Sequence, residues 1–470
     1  MLLSPTANEN PVISRLELVH AIGSLRELFS DGTIDRLQPT GPAAIYTSSV
    51  ALWMLVSQRL AGGKSMEATV KDFIADRPTF CPDNKRLDEQ TISTQSSAYA
   101  GARKRLGLTT AKFLFDRVVD SITHPKVAFG VRPRQTFILD GTTITLSPTE
   151  QLRTAFPPAT NQHGESVWPI MLMFVAHDME TGCACVPEVG RMYGGKGDSE
   201  AVLCERLVKR LPNRSIVMAD AGLGIFRVAY RSIQSGHDIL FRLTASRFKA
   251  MTRTATLVSK RFKSRTWKLA WKPSVKDRKG CQGVNGETTI NVSIHEIEIN
   301  EGEFLYLVTT LTEDAQSCAA RYHRRYDVET DIKCIKVAMD TENITAKSEE
   351  MVMKELYTSL TAYNLVVQFR RQAADISGVP PRRLSFQGVW DTYESFLTTY
   401  LGTAGIEACV ERFEEALRCA SKAKIPHRPG RNYKRAAHPR RPKTTKWQKA
   451  QRERSDVNSN PEQIPPDPPK

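Results

Sequence analysis

Along the first 124 residues apolar positions recur at three- and four-residue spacing, the period of helices with one buried face. SRLELVHAIGSLRELF and SSVALWMLVSQRLAGG show it most clearly, and the second stops at Gly62-Gly63, a pair suited to a helix end. STQSSAYAGARKRLGLTTAKFLFDRVVDSI reads as two short helices broken near Gly107, with Arg103, Lys104 and Arg105 closing the first. Residues 1–128 are therefore expected to form an all-α amino-terminal domain. At Gln135 the period changes. QTFILDGTTITLS is β-branched and strand-like, and VWPIMLMFVAHD and TGCACVPEVGRM follow as two further strands joined by a turn at Glu180-Thr181-Gly182. GDSEAVLCERLVKRL is an amphipathic helix with Asp198 or Ser199 as its cap. SIVMA is a short buried strand, and another helix begins near Gly224.

The stretch 245–311 contains RTWKLAWKP, TTINVSIHEIEI and FLYLVTTL, all alternating or β-branched, and predicts a β-rich segment. RYHRRYDVETDIKCIK, from Arg321 to Lys336, has no Gly or Pro and reads as a helix. SEEMVMKELYTSLTAYNLVVQFRRQAA is a long amphipathic helix placed to cover a sheet, ending a segment 312–375. PPRRLSFQGVWDTYESFLTTY and IEACVERFEEALRCA continue as carboxy-terminal helices over 376–420. In 421–470 about a dozen Lys and Arg between Lys422 and Arg452 meet no acid, and NSNPEQIPPDPPK follows, a composition not expected to fold on its own. Strands and helices in this order predict an α/β fold: a mixed sheet flanked by helices, behind an all-α amino-terminal domain.

Charge narrows the partners. The 470 residues carry 66 Lys and Arg against 51 Asp and Glu, a formal net charge of +15, which favours a polyanion such as nucleic acid. The nine cysteines are scattered and form no paired CxxC ligands, so reduced cytosolic thiols are expected. Cys183 and Cys185, two apart in a strand, share a face and suit core filling better than metal binding. The longest apolar runs, near SVALWMLV and WPIMLMFVA, are too short to span a bilayer, and MLLSPTANEN is no signal segment, so neither export nor membrane insertion is expected.

Several residues carry candidate chemistry. Tyr322, Arg325, Glu329 and Lys336 stand three, four and seven residues apart, within an arc of roughly 60° on a regular helix. A phosphate backbone lying along that helix could meet carboxylate and ammonium together; a solvated helix with i,i+4 charge pairs has the same pattern. Asp140 sits in an apolar strand, where an acid is costly unless paired or bound to a cation, although Asp-Gly also marks turns and bulges. Asp220 follows SIVMA at the carboxyl end of a strand, where open α/β sheets bind ligands, and equally near the start of the next helix. A basic run from Lys260 to Lys279 is interleaved with Trp267 and Trp271, which share a strand face and suit either core packing or stacking of unpaired bases.

The spacing Tyr-x2-Arg-x3-Glu-x6-Lys resembles the signature of DDE transposases of the insertion-sequence 4 type. LVTTLTED upstream looks like that family's last strand, ELYTSLTAYNLV downstream like its following helix, and DGTT like its first catalytic motif. The resemblance implies a ribonuclease H-like catalytic core in two parts, 129–244 and 312–375, interrupted by the insertion 245–311. It implies that Asp140, Asp220 and Glu329 are catalytic and hold two Mg²⁺ or Mn²⁺ ions, for which hard carboxylate oxygens are suited. The family often has Arg directly after the second Asp, where this chain has Ala221. Double-stranded DNA, as terminal inverted repeats and target, is the implied partner, with at least a homodimer for synapsis of two ends and a location in the cytoplasm at the nucleoid. Arg325 and Lys336 would hold phosphates, and Tyr322 would orient them or pack on a sugar. Arg103, Lys104 and Arg105 would serve a helix-turn-helix-like reader of the terminal repeat, though bases at a helix carboxyl end are also favoured by its dipole. Trp267 or Trp271 would hold a flipped base. The alternatives are a metal-dependent nuclease of the same fold and a catalytically silent DNA-binding derivative.

Overall fold

The computed structural model describes residues 28–29, 32–123, 134–161, 164–195, 197–338, 341, 344–400 and 406–426. Most of the expected first helix and of the basic tail lies outside these residues. The early helices start where a side-chain oxygen can accept from otherwise unpaired first-turn amides. After a short α1 (Thr33–Leu37), α2 (Ser48–Leu60), α3 (Met66–Ala75) and α4 (Lys85–Asp88) are capped by Thr47, Ser65 and Asn84. α2 stops at Gly62 and Gly63, both with positive φ, as the sequence predicts. The predicted break near Gly107 separates α5 (Ser97–Arg105) from α6 (Leu108–Thr123). Gln38 stitches that break: its Nε2 donates to the Arg105 carbonyl at 2.5 Å, and its Oε1 accepts from Gly107 N at 2.6 Å.

The sheet follows in chain order: β1 (Thr136–Thr145), α7 (Glu150–Ala155), β2 (Pro158–Asn161), β3 (Gly164–Asp178), β4 (Ala184–Arg191), α8 (Glu200–Leu207), β5 (Ile216–Ala219), α9 (Phe226–Gln234), β6 (Asp238–Arg242) and α10 (Ala245–Thr252). β1, β3 and β4 form an antiparallel meander, and β5 and β6 run parallel to β1. The spatial order β4-β3-β1-β5-β6 is the ribonuclease H-like core expected from the sequence. β7 (Thr256–Arg261), β8 (Ser264–Trp271), α11 (Val275–Gly280), β9 (Ile290–Asn300) and β10 (Glu303–Thr309) come next. The β-rich insertion does not stand apart. β10 pairs with β6 and is followed by β9, β8 and β7, so these strands extend the same sheet. Their pairing satisfies the β6 edge that would otherwise expose unpaired backbone groups.

The run expected as one regular helix over 321–336 is helical but uneven. α12 (Ala315–His323) passes through a 3₁₀ turn at Arg324–Tyr326 into α13 (Asp327–Lys333) and ends in a π-helical turn at Cys334–Ala338. Arg324 is tied across to the loop after β3, with Nη1 on Glu180 Oε1 at 2.8 Å and Nη2 on the Met179 carbonyl at 2.7 Å. These ties accompany the tightened turn, whose three residues per turn shift the phase of everything beyond it. α14 (Glu349–Ser377), α15 (Phe386–Tyr400) and α16 (Ile406–Ala420) complete the described chain. α14 covers the sheet as predicted: Asn364 accepts from Ala184 N at 2.8 Å and donates to the Ala184 carbonyl at 2.9 Å, docking the helix on β4. Its polar residues Thr358, Ser359 and Thr361 satisfy themselves on carbonyls one turn back, so the helix can be buried on nearly every side.

The chain divides into one unit up to Ile425 and a second from Pro426. Within the first, the break expected at 128/129 is not a break in packing, because Arg59 of α2 and Arg103 of α5 both pair with Glu355 of α14. No helix among the described residues is long and apolar enough to cross a membrane. Gly224, between β5 and α9, packs against the chain of β6: a Cβ there would lie 2.2 Å from the Arg242 carbonyl oxygen. Backbone cannot yield as a side chain can, so Gly224→Ala is expected to destabilise the protein by about 3 kcal/mol in a denaturant titration.

Candidate active site

The site is set by strand register. In the parallel pair β1–β5, Ile138 lies opposite Met218, the last residues of the ladder, and Asp140 in β1 and Asp220 just after β5 each stand two residues beyond that pair. Side chains alternate along strands. Ile138, Ile216 and Met218 belong to the apolar cluster under α12 and α13, together with Tyr322, Val328 and Ile332. Asp140 and Asp220 continue that alternation beyond the apolar layer, towards the same helices. Local hydrogen bonds hold them: Asp140 Oδ1 accepts from Gly141 N at 2.9 Å, and Asp220 Oδ1 accepts from Gly222 N at 2.9 Å and Leu223 N at 3.2 Å.

Glu329 arrives from the first turn of α13, with its side chain 57% exposed. Arg325 joins it to the sheet. Nη2 donates to Glu329 Oε1 at 2.5 Å, while Nη1 stands 3.5 Å from Asp140 Oδ2. Burial pushes the Asp140 carboxyl above its ordinary range; Gly141 N–H and Arg325 oppose that shift, while Asp220 and Glu329 add to it. The three acids thus share one electrostatic neighbourhood. As the side chains stand, no group of three or more His, Cys, Asp or Glu among the described residues is drawn together tightly enough to hold an ion. The guanidinium of Arg325 bridges Asp140 and Glu329 instead. The donor chemistry fits a hard divalent cation: carboxylate oxygens, one of them made reluctant to ionise by burial and by its acidic neighbours.

Several expected binding residues are placed differently. Tyr322 is not on an exposed ridge. It is 3% exposed, packed in the cluster beneath the helix, its pKa raised by burial, and its hydroxyl has no hydrogen-bond partner among the described residues. The 3₁₀ turn separates its phase from that of Arg325 and Glu329. Lys336 lies in the π-helical turn and is half-buried, so the four side chains do not form one straight face. Arg103 also turns inward: Nη2 donates to the buried Glu355 carboxylate at 2.5 Å, and it lies with Tyr99 and Ala102 on the buried face of α5. Lys104 and Arg105 are exposed. Trp267 and Trp271 share a face as expected, and that face is inward. Trp267 meets Phe248 edge-on with ring centroids 5.3 Å apart, and Trp271 meets Phe226 at 5.6 Å. Trp267→Ala is therefore expected to lower stability by about 2–3 kcal/mol, below the fully buried case because the indole is half-exposed, read as a shifted denaturation midpoint.

One acid near the site is not singled out by the sequence. GDSE was read for its cap, and Ser199 is that cap, accepting from Val202 N at 3.4 Å. The next residue, Glu200, has its carboxyl pKa raised by burial and then by Asp140 and Asp220. Nothing around it in the sequence marks it, because only the fold brings it to Gly141.

The fold, with Asp140 midway along β1 and Asp220 just after β5, defines a ribonuclease H-like domain with an acidic site roofed by a basic helix. Residues 132–365, which include Asp140, Asp220 and Glu329, match the family model described as the transposase DDE domain. Among curated proteins nothing matches. Among solved structures, a cryo-EM structure of the piggyBac transposase synaptic complex with hairpin DNA is similar at 10% identity and a TM-score of 0.40, over 90% of this chain and 87% of that one.

Proposed function

We propose that the protein is a DNA transposase of the insertion-sequence 4 type that cuts the ends of its element and joins them to target DNA. The observation that carries this reading is the β1–β5 register, which ends two residues before both Asp140 and Asp220, beneath a helix whose Arg325 ties Glu329 to Asp140. Asp140, Asp220 and Glu329 would hold two Mg²⁺ or Mn²⁺ ions, which when bound acidify an attacking water or 3′-hydroxyl and stabilise the leaving oxygen. Arg325 keeps the acids together while the site is free, and a phosphodiester entering the site offers it a new anionic partner. Lys336, further along the same helical run, supplies a second cation for the strand. Lys104 and Arg105, exposed at the end of α5, would meet phosphates, and the net charge of +15 would draw in the duplex. Synapsis of two element ends calls for at least a homodimer, acting at the nucleoid.

Purified protein with Mg²⁺ and a labelled element-end duplex tests the proposal. Strand transfer into a target plasmid is the expected result. Cutting without joining identifies a nuclease instead, and binding without cutting a silent derivative; either result overturns the proposal.

A further inference from the structure

Glu329 rides on a helix too short to fix its own direction. α13 has seven residues between a 3₁₀ turn and a π-helical turn, and a helix of that length takes its place from tertiary contacts rather than from its own hydrogen bonds. Asp327 and Asp331 stand two residues before and after Glu329. At ~100° per residue they fall within about 40° of each other, on the far side of the helix from it. Exposure shows the division: the Glu329 side chain is 57% exposed and that of Asp331 only 2%.

One guanidinium meets both acids of that inner face. Arg382, in a 3₁₀ turn (Pro381–Arg383) between α14 and α15, donates from Nη2 to Asp331 Oδ2 at 2.5 Å and holds Nε 3.5 Å from Asp327 Oδ2. Its Nη1 donates to the Met179 carbonyl at 3.0 Å. Met179 is itself fixed to the strand that carries Asp140, since its N–H donates at 2.8 Å to the carbonyl of Thr136, the first residue of β1. Gly182, in the same turn with φ at +78°, leaves room for the guanidinium: a Cβ there would lie 3.2 Å from Arg382 Nη2. His177 Nδ1 stands 3.8 Å from Asp331, but burial lowers the imidazole pKa, so the lasting positive charge beside Asp331 is that of Arg382. Arg382 lies past residue 365, where the match to the transposase domain ends. An arginine serving packing alone has no reason to bracket one residue, and Arg382 brackets Glu329.

We infer that Arg382 is a positioning residue for Glu329: by joining Asp327 and Asp331 to the turn after β3, it fixes the rotation of α13 that turns Glu329 towards Asp140. The inference rests on the transposase reading above. It gives the carboxy-terminal helical region a part in the site without any contact to the strand being cut.

The test is a double-mutant cycle on Mn²⁺ binding to the full-length protein, followed by the paramagnetic signal of the free ion, with thermal melts in EDTA as the folding control. Arg382→Lys keeps the charge beside Asp331, but a single ammonium cannot straddle two carboxylates and a carbonyl. It is expected to weaken Mn²⁺ binding by ~10–100-fold with melting close to the parent's. Arg382→Met with Asp331→Leu removes both buried charges together, so no carboxylate is stranded, and it is expected to weaken Mn²⁺ in the same direction. Glu329→Gln supplies the reference loss. In that background Arg382→Lys is expected to cost nothing further, because a residue that acts through Glu329 has nothing left to place, whereas an independent structural loss adds. If Arg382→Lys costs the same factor with and without Glu329, Arg382 is not its positioning residue. The same follows if both Arg382 variants bind Mn²⁺ as tightly as the parent while Glu329→Gln does not, and in either case the transposase reading stands. If the parent protein itself binds no Mn²⁺ at millimolar concentration, the metal-dependent reading and this inference fall together.

Discussion

Asp140→Asn is expected to abolish metal-dependent cleavage and, at the same time, to stabilise the metal-free protein. The two effects share one cause. Asp140 is half-buried beside Asp220 and Glu329, and its carboxyl is held above the ordinary value because the ionised form is disfavoured there. A carboxylate whose folded pKa exceeds its unfolded one makes the folded state bind its proton more tightly. Its favourable contribution is then present below the unfolded value and is lost as pH rises through the folded value. In EDTA, the melting temperature of the parent protein should therefore fall more between pH 4 and neutrality than that of Asp140→Asn, whose amide does not titrate. Arg325 remains paired with Glu329 in the variant, so no guanidinium is stranded. Catalysis should move the other way. A ligand to an ion that stabilises several kcal/mol of transition-state charge is worth on the order of 10³-fold in rate. Binding of an element-end duplex should be retained. A variant less stable than its parent across this pH range would show that Asp140 is a paired structural acid.

How far this arrangement could be read from the chain depends on whether the cause was local. The switch to β-period at Gln135, the glycine pair ending α2 and the break at Gly107 are local, and the structure shows each of them. Asp140, midway along β1, and Asp220, just after β5, were legible because a charge that follows an apolar run is visible without knowing its neighbours. Arg103 misled because three bases in a row look like a surface, whereas helical phase puts the first of them with Tyr99 and Ala102, on the buried side. The spacing of Trp267 and Trp271 shows that they share a face but not which face; the partners that decide it, Phe248 and Phe226, lie on α10 and α9. The 3₁₀ turn at Arg324 depends on Met179 and Glu180, more than a hundred residues upstream. The insertion's place in the main sheet depends on β10 finding the edge of β6. Glu200 was hidden for the same reason: only the folded sheet brings it to Gly141.

The largest effect on stability should come from Glu355, far in sequence from the helices it holds. Its side chain is 2% exposed and accepts from Arg59 Nη2 at 2.6 Å and Arg103 Nη2 at 2.5 Å. Beside it Lys354, also buried, donates to the Lys104 carbonyl at 3.2 Å, closing the end of α5. One carboxylate thus answers two guanidinium groups from α2 and α5. Removing it takes away the carboxylate that two buried guanidinium groups share, and Glu355→Ala is expected to cost about 3–5 kcal/mol in a denaturant titration. That figure measures stranded charge, not the net value of the pairing. The triple replacement Arg59→Met, Arg103→Leu, Glu355→Leu removes all three charges together, and it should lie close to the parent, because desolvating such a triad consumes much of what its attraction returns. The single variant should also show faster amide hydrogen exchange in 97–105 and in the first turns of α14, since α5 and α14 are held together there by charge. If the triple variant proves as unstable as Glu355→Ala, the triad stabilises the fold in its own right. Equal exchange in 97–105 with and without Glu355 would mean that packing alone fixes α5, and with it the exposed Lys104 and Arg105.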